Sequence, residues 1–209
     1  MGSQAVESTA TRQLLDGRLI SLRRLEIDDA EAVVALHQHL SDHDRYFRFF
    51  TLHPAHLDEL VNKLIEPTVG KYALGAFDGD RLIGVANYAV SADPTVADIA
   101  IVVAHEDHLH GVGTTLLKRL AQIARAHGIR RFGVDVLAVN HLMLAVLSDL
   151  DWPRERMNYG SMLHLDIELP DRIIESSKAP NENPYEGAPN AGDRRKTRNI
   201  GLHRRIGGI

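Results

Sequence analysis

His108-Leu109-His110-Gly111-Val112-Gly113-Thr114 is a stretch whose residue types and spacing could do chemistry. It follows the apolar, β-branched run 99–103 and leads into Leu116, Leu117, Leu120, Ile123 and Ala124, which recur at helical spacing. A strand that turns through two glycines into a helix leaves the first helical N–H groups without internal partners, and the aligned peptide dipoles add partial positive charge there. An anion such as a pyrophosphate can then dock on bare backbone. Taken alone, the two glycines also fit an ordinary strand-to-helix connection.

More follows the loop: a second apolar strand over 131–137, then Asn140, then an apolar helical run over 142–150 that ends at Asp151-Trp152-Pro153. This order resembles the GNAT superfamily of acyl-CoA-dependent N-acyltransferases. The acyl-CoA motif of that family is Gln or Arg, two residues, Gly, one residue, Gly or Ala, and residues His108 to Gly113 stand in its place. Both glycines are present; His108 replaces Gln or Arg, and Leu109 stands where many members carry a further glycine. A narrower resemblance, to the bacterial Pat-type protein lysine acetyltransferases, rests on three segments. They are Leu22-Arg23-Arg24-Leu25-Glu26-Ile27-Asp28-Asp29-Ala30, the run from Leu40 through Arg45-Tyr46-Phe47-Arg48-Phe49-Phe50, and Asn140-His141-Leu142-Met143. The resemblance covers about residues 18 to 170. It implies an α/β fold with a mixed, mostly antiparallel central sheet flanked by helices. It also implies acetyl-CoA as co-substrate without a metal, and an amine acceptor, a protein lysine ahead of a small amine.

Acetyl transfer to an amine needs a proton acceptor, because a lysine amine with a pKa near ~10.4 is protonated at neutral pH. By resemblance that role falls to Asp98, where Pat-like sequences carry a glutamate in the same strand. Aspartate is one methylene shorter, so proton transfer runs through a water; the blander reading is a solvated strand-end carboxylate. Glu106 and Asp107 are weaker candidates, since a carboxylate beside a pyrophosphate repels it. The resemblance assigns the backbone of Ile101, Val102 and Val103 to the thioester oxygen and the pantetheine amides. It assigns His108, Leu109, His110, Gly111, Val112, Gly113 and Thr114 to the phosphates, and Asn140 to the pantetheine arm. Many GNAT enzymes place a tyrosine acid where this chain has Leu147. Ser148 beside it is read as structural, and a thiol with a pKa near ~8.5 leaves largely unassisted.

The elements that must position these residues are legible in outline. Strands are expected over 19–25, 72–77, 81–90, 98–103, 131–137 and 160–168, with Asp78-Gly79-Asp80 turning a hairpin. Helices are expected from Asp28 or Asp29, as cap, to residue 39, and over 56–65 with Pro54 opening it. Two more are expected from the glycine loop to residue 127, and over 142–150. The Arg45 to Phe50 run reads as a helix end packing its aromatics inside.

Composition bounds the rest. With 209 residues and 44% apolar content the chain can fill one core. We expect a flexible segment 1–16, an acetyltransferase domain 17–170 and a flexible basic tail 171–209 carrying Arg194, Arg195, Lys196, Arg198, Arg204 and Arg205. That tail is either a solvated extension or an element that docks on a subunit or an acidic substrate mouth. The absence of cysteine removes disulfides and thiol nucleophiles. A net charge of −4 argues against nucleic-acid binding, and no apolar run reaches the roughly 20 residues of a membrane span. A cytoplasmic protein is expected, with a homodimer left open. Of twelve histidines, His105, His108 and His110 cluster by the loop and His37, His39 and His43 by the first helix, at spacings that match no zinc motif. Three activities stay open: acetylation of a protein lysine, acetylation of a small amine, and acyl-CoA sensing without catalysis.

Overall fold

The computed structural model describes residues 8–49 and 57–173. Eight strands make one sheet: β1 (Ala10–Gln13), β2 (Leu19–Arg24), β3 (Lys71–Asp78), β4 (Arg81–Val90), β5 (Val96–Val103), β6 (Arg131–Leu137), β7 (Arg154–Tyr159) and β8 (Met162–Glu168). Their order in space is β1-β2-β3-β4-β5-β6-β8-β7. Every neighbouring pair is antiparallel except β5 and β6. Five α-helices flank the sheet among the described residues: α1 (Ala30–Gln38), α2 (Asp42–Phe49), α3 (Leu57–Ile65), α4 (Val112–Ala126) and α5 (His141–Asp149). The mixed, mostly antiparallel α/β arrangement expected from the sequence is the one observed.

Two cores lie on opposite faces. On one, Leu116, Leu117, Leu120, Ile123 and Ala124 of α4 and Leu147 of α5 pack with Leu22, Leu74, Ile83, Ile99, Phe132, Val134 and Leu165 from six strands. On the other, Val33 and Leu36 of α1 and Val61, Leu64 and Ile65 of α3 cover Ala73, Phe77, Leu82, Val85 and Val102. Burying each such aliphatic side chain contributes roughly 1.5–3 kcal/mol. The second core draws on β3, β4 and β5 but on none of β6, β7 and β8, so on that face Asp98 and Asp135 stay exposed.

The sheet is larger than the sequence pattern suggests. Ala10–Gln13, expected to be flexible, pairs with β2, and Leu14 is buried behind it. At the other end Ile173 packs against the core and its carbonyl accepts from Gln122 of α4, so the domain runs past the expected boundary at residue 170. β7 was also missed: all six of its residues are exposed, which leaves no apolar alternation to read. Asp29 stands at the start of α1 without capping it. Its carboxylate makes two 2.7 Å bonds to Arg23 and accepts the Glu26 N–H at 2.8 Å. Residues Arg45 to Phe49 lie on a helix of their own, α2, and Tyr46 is exposed rather than packed inside. Phe50, Pro54 and the basic tail from residue 174 onward fall outside the described residues.

Candidate active site

The site is built where the sheet comes apart. β5 and β6 pair over only three rungs, Val96 with Arg131, Ala97 with Phe132 and Asp98 with Gly133, and both strands then continue without further pairing to each other. Bonds from Ala104 N to Ile83 O and from Ser91 N to Val96 O set the phase of the β4–β5 ladder, in which even-numbered β5 residues bond to β4. Ile101 and Val103 therefore turn their N–H and C=O groups into the gap, where the Val103 carbonyl accepts from His108 Nε2 at 3.1 Å. Val102, expected to offer its backbone as well, instead turns it to Val85 of β4. A gap edge with free backbone groups can take an amide-bearing chain as an added strand.

Asp98 stands on the last rung before the gap. Its side chain lies over Gly133: a Cβ built on that glycine would come within 2.7 Å of Asp98 Oδ1 and 3.6 Å of His164 Cε1. His164 Nδ1 in turn bonds Asp135 Oδ1 at 2.7 Å. Sequence reasoning missed this pair; the two lie 29 residues apart and only the β6–β8 register brings them together. On the same face, a cavity of about 260 Å³ begins two residues along β5 at Ala100, about 7 Å from Asp98, and lies between the sheet and α2 and α3. Its lining carries Arg24, Arg48, Lys63 and Lys71 against one carboxylate, Glu66. Burial pushes the Arg48 guanidinium down to about 10, so it stays charged at neutral pH, and it donates to Asn87 Oδ1 at 3.2 Å.

The glycine loop turns into a helix. Gly111 opens α4 at a φ of 86°, and the first intrahelical bond runs from Thr115 N to Gly111 O. The N–H groups of Val112, Gly113 and Thr114 thus precede the helical ladder; no side chain caps the helix and its first turn holds no acid. An anion fits this end. Gly113 is small for a second reason: a Cβ there would meet Val146 of α5 at 3.3 Å and Ile101 of β5 at 3.7 Å. Leu109 has a φ of 65° and is 82% exposed, which explains why glycine is ordinary at this place. Leu109→Gly is expected to stabilise the chain by about 1 kcal/mol, read as a rise in denaturation midpoint; an unchanged or lower midpoint would count against strain at that residue.

The β1–β2 turn braces the cradle from outside. Leu15 N donates to the His110 carbonyl at 3.1 Å, and a Cβ on Gly111 would meet Leu15 Cγ at 3.2 Å. The carboxylates that were expected to repel a pyrophosphate are engaged elsewhere. Asp107 is buried between Arg18 at 2.8 Å and Arg81 at 3.0 Å, and Glu106 pairs with Arg81 at 2.9 Å. Asp16, Asp107 and Asp78 together raise the pKa of Arg18. Asn140 caps α5, its Oδ1 accepting from Met143 N at 3.0 Å. Leu147 is buried in the core and Ser148 is exposed.

The histidines divide. His37 is a core residue: burial pushes it down to about 4 and its Nδ1 bonds the Val33 carbonyl. His105 and His108 come together with Asp44, their potential ligand atoms all within 4.8 Å, with His105 Nδ1 at 3.1 Å from Asp44. His108 Nε2 is engaged by the Val103 carbonyl, so only its Nδ1 could ligate.

The sequence model of the acetyltransferase (GNAT) family matches residues 33–150, from the first helix through α5. The chain belongs to this family. A curated relative, Acetyltransferase PA5475 of Pseudomonas aeruginosa, is 30% identical over 129 residues, which span 59% of this chain and 69% of the relative. Among solved structures, the GNAT domain of S. lividans PAT superposes with a TM-score of 0.72 at 29% identity, covering 77% of this chain and 97% of that domain. A spermidine N-acetyltransferase from Vibrio cholerae, solved with CoA and spermine, shares the fold at a TM-score of 0.58 and 18% identity, covering 72% of this chain and 95% of its own. Acyl transfer from acyl-CoA to an amine is the chemistry that this GNAT fold supports.

Proposed function

We propose that the chain transfers the acetyl group of acetyl-CoA to a lysine side chain of a protein. The observation that carries the reading is the gap between β5 and β6, with an exposed carboxylate at its closed end and an uncapped helix N-terminus at its open end. Residues Val112 to Thr114 would hold the pyrophosphate by backbone, and Ile101 and Val103 the pantetheine amides. Asp98 would order a water against the incoming ammonium and draw its proton. Backbone N–H groups of β5 left unpaired by the gap would face the oxygen charge that develops on the thioester carbonyl.

What surrounds Asp98 supports this choice of acceptor. Its side chain is exposed on a face that the described helices leave open towards β6, β8 and β7, so a lysine carried on a folded surface can reach it. The adjoining cavity is lined by four cations and one carboxylate, an arrangement that disfavours a polycation such as spermine. The resemblance to Pat-type enzymes points the same way.

The test is release of free thiol from acetyl-CoA in the presence of lysine-bearing proteins, lysine peptides and spermidine, run in parallel. Protein and peptide lysines are expected to support release and spermidine is not. Faster turnover of spermidine would reverse the acceptor assignment. No acceptor-dependent release at all would leave an acyl-CoA-binding module.

A further inference from the structure

We propose that His164, held by Asp135, takes up the amine proton drawn off at Asp98 and passes it to solvent; the assignment rests on the acetyl-transfer reading above. An aspartate carboxyl, ordinarily near ~3.9, is a poor resting place for a proton taken from an ammonium near ~10.4, and an imidazole near ~6.5 is a better one. The fold supplies that imidazole beside Asp98. His164 on β8 stands opposite Asp135 on β6, and the adjacent same-face rung of that ladder is Asp166 opposite Gly133, the residue that Asp98 faces on β5.

A carboxylate only accepts hydrogen bonds, so the 2.7 Å contact with Asp135 places a proton on His164 Nδ1 and leaves the lone pair on Nε2. Cε1, the ring atom between Nδ1 and Nε2, and Asp98 Oδ1 both border the space above Gly133, at 3.6 Å and 2.7 Å from where a Cβ would stand. Because that residue is glycine, the carboxylate and the ring share one opening that a bridging water can span. His164 keeps about a quarter of its side chain exposed, at 27%, which gives the proton an exit. The other charged groups on this face, by register, are Arg131 on β6, Asp166 and Glu168 on β8, Glu155 on β7, Lys71 on β3 and Arg23 on β2.

The step balances as follows. The ammonium gives one proton through Asp98 and water to His164 Nε2, and the neutral nitrogen forms its bond to the thioester carbon. The C–S bond breaks with its electron pair on sulfur, and the second proton of the nitrogen ends on the thiolate. Amide, CoA thiol and one proton result, the last leaving from the imidazolium. His164 acts here through Asp98 and water and has no contact with the reacting atoms.

The experiment uses the full chain, acetyl-CoA and a lysine peptide, with kcat and KM measured from pH 6 to 9 for the parent, His164→Ala and Asp135→Asn, and CoA binding followed by calorimetry. His164→Ala is expected to lower kcat by roughly 10²-fold, with CoA affinity unchanged, with the acid-side limb of the pH profile lost, and with added imidazole restoring turnover. Asp135→Asn is expected to lower kcat and retain the limb. An active parent whose His164→Ala variant keeps its rate and profile overturns the proposal. So does a loss of rate that imidazole cannot restore and that leaves the profile in place, since that marks a packing role. A parent that acetylates no amine overturns the acetyl-transfer reading and this assignment with it.

Discussion

Asp98→Asn is expected to lower amine acetylation by roughly 10²–10⁴-fold while leaving CoA binding intact. Asparagine keeps the shape that lies over Gly133 and still bonds a water, and it cannot take a proton. The deficit is expected to shrink as pH rises towards the amine's own value near ~10.4, because the free base then arrives unassisted. Turnover of parent and variant with one lysine peptide between neutral and alkaline pH checks this. An equal rate across that range would move the base away from Asp98. Glu106, the substitute that the sequence offered, is tied to Arg81 at 2.9 Å, so His164 becomes the next residue to test.

Thr114→Glu separates the cradle's two properties. A carboxylate in the first turn of α4 complements the helix dipole and is expected to leave stability unchanged or raise it by about 0.3–1 kcal/mol. The same charge would sit against the incoming pyrophosphate, where like-charge contact costs several kcal/mol, so CoA affinity is expected to fall by about 10²–10³-fold. Calorimetry with CoA and a thermal melt on the same preparation check both halves. Full affinity in a folded Thr114→Glu protein would show that the phosphates bind elsewhere. Gly111 is a poorer probe than its place in the motif suggests: a side chain there runs into Leu15, so a loss of binding would report on the β1–β2 turn as much as on the phosphates.

What the sequence disclosed about the site was local. The apolar run of β5, the two glycines and the amphipathic α4 lie within one continuous stretch, and their periods can be read without knowing the fold. The hairpin at Gly79 and the strand over residues 131–137 were legible for the same reason. Residues that meet only through sheet register were not. His164 and Asp135 carry no joint pattern, and Arg48 reaches Asn87 across 39 positions. β1 and β7 escaped because an edge strand with one or both faces in water need not alternate apolar and polar residues. Asp29 fitted the composition of a helix cap, yet a guanidinium on the neighbouring strand outbid the helix for its oxygens.

The three-rung seam between β5 and β6 also divides the chain's assembly. From β1 to β5 each strand lies beside its predecessor in sequence, the β2–β3 connection running through α1, α2 and α3, and β7 and β8 form a hairpin of their own. Joining the halves needs the long crossover through α4 and is rewarded by only three residue pairs, together with the face that α4 spreads over both. A chain leaving the ribosome holds the glycine loop and Asp98 well before β6 and β8 exist to set Gly133 and His164 beside them.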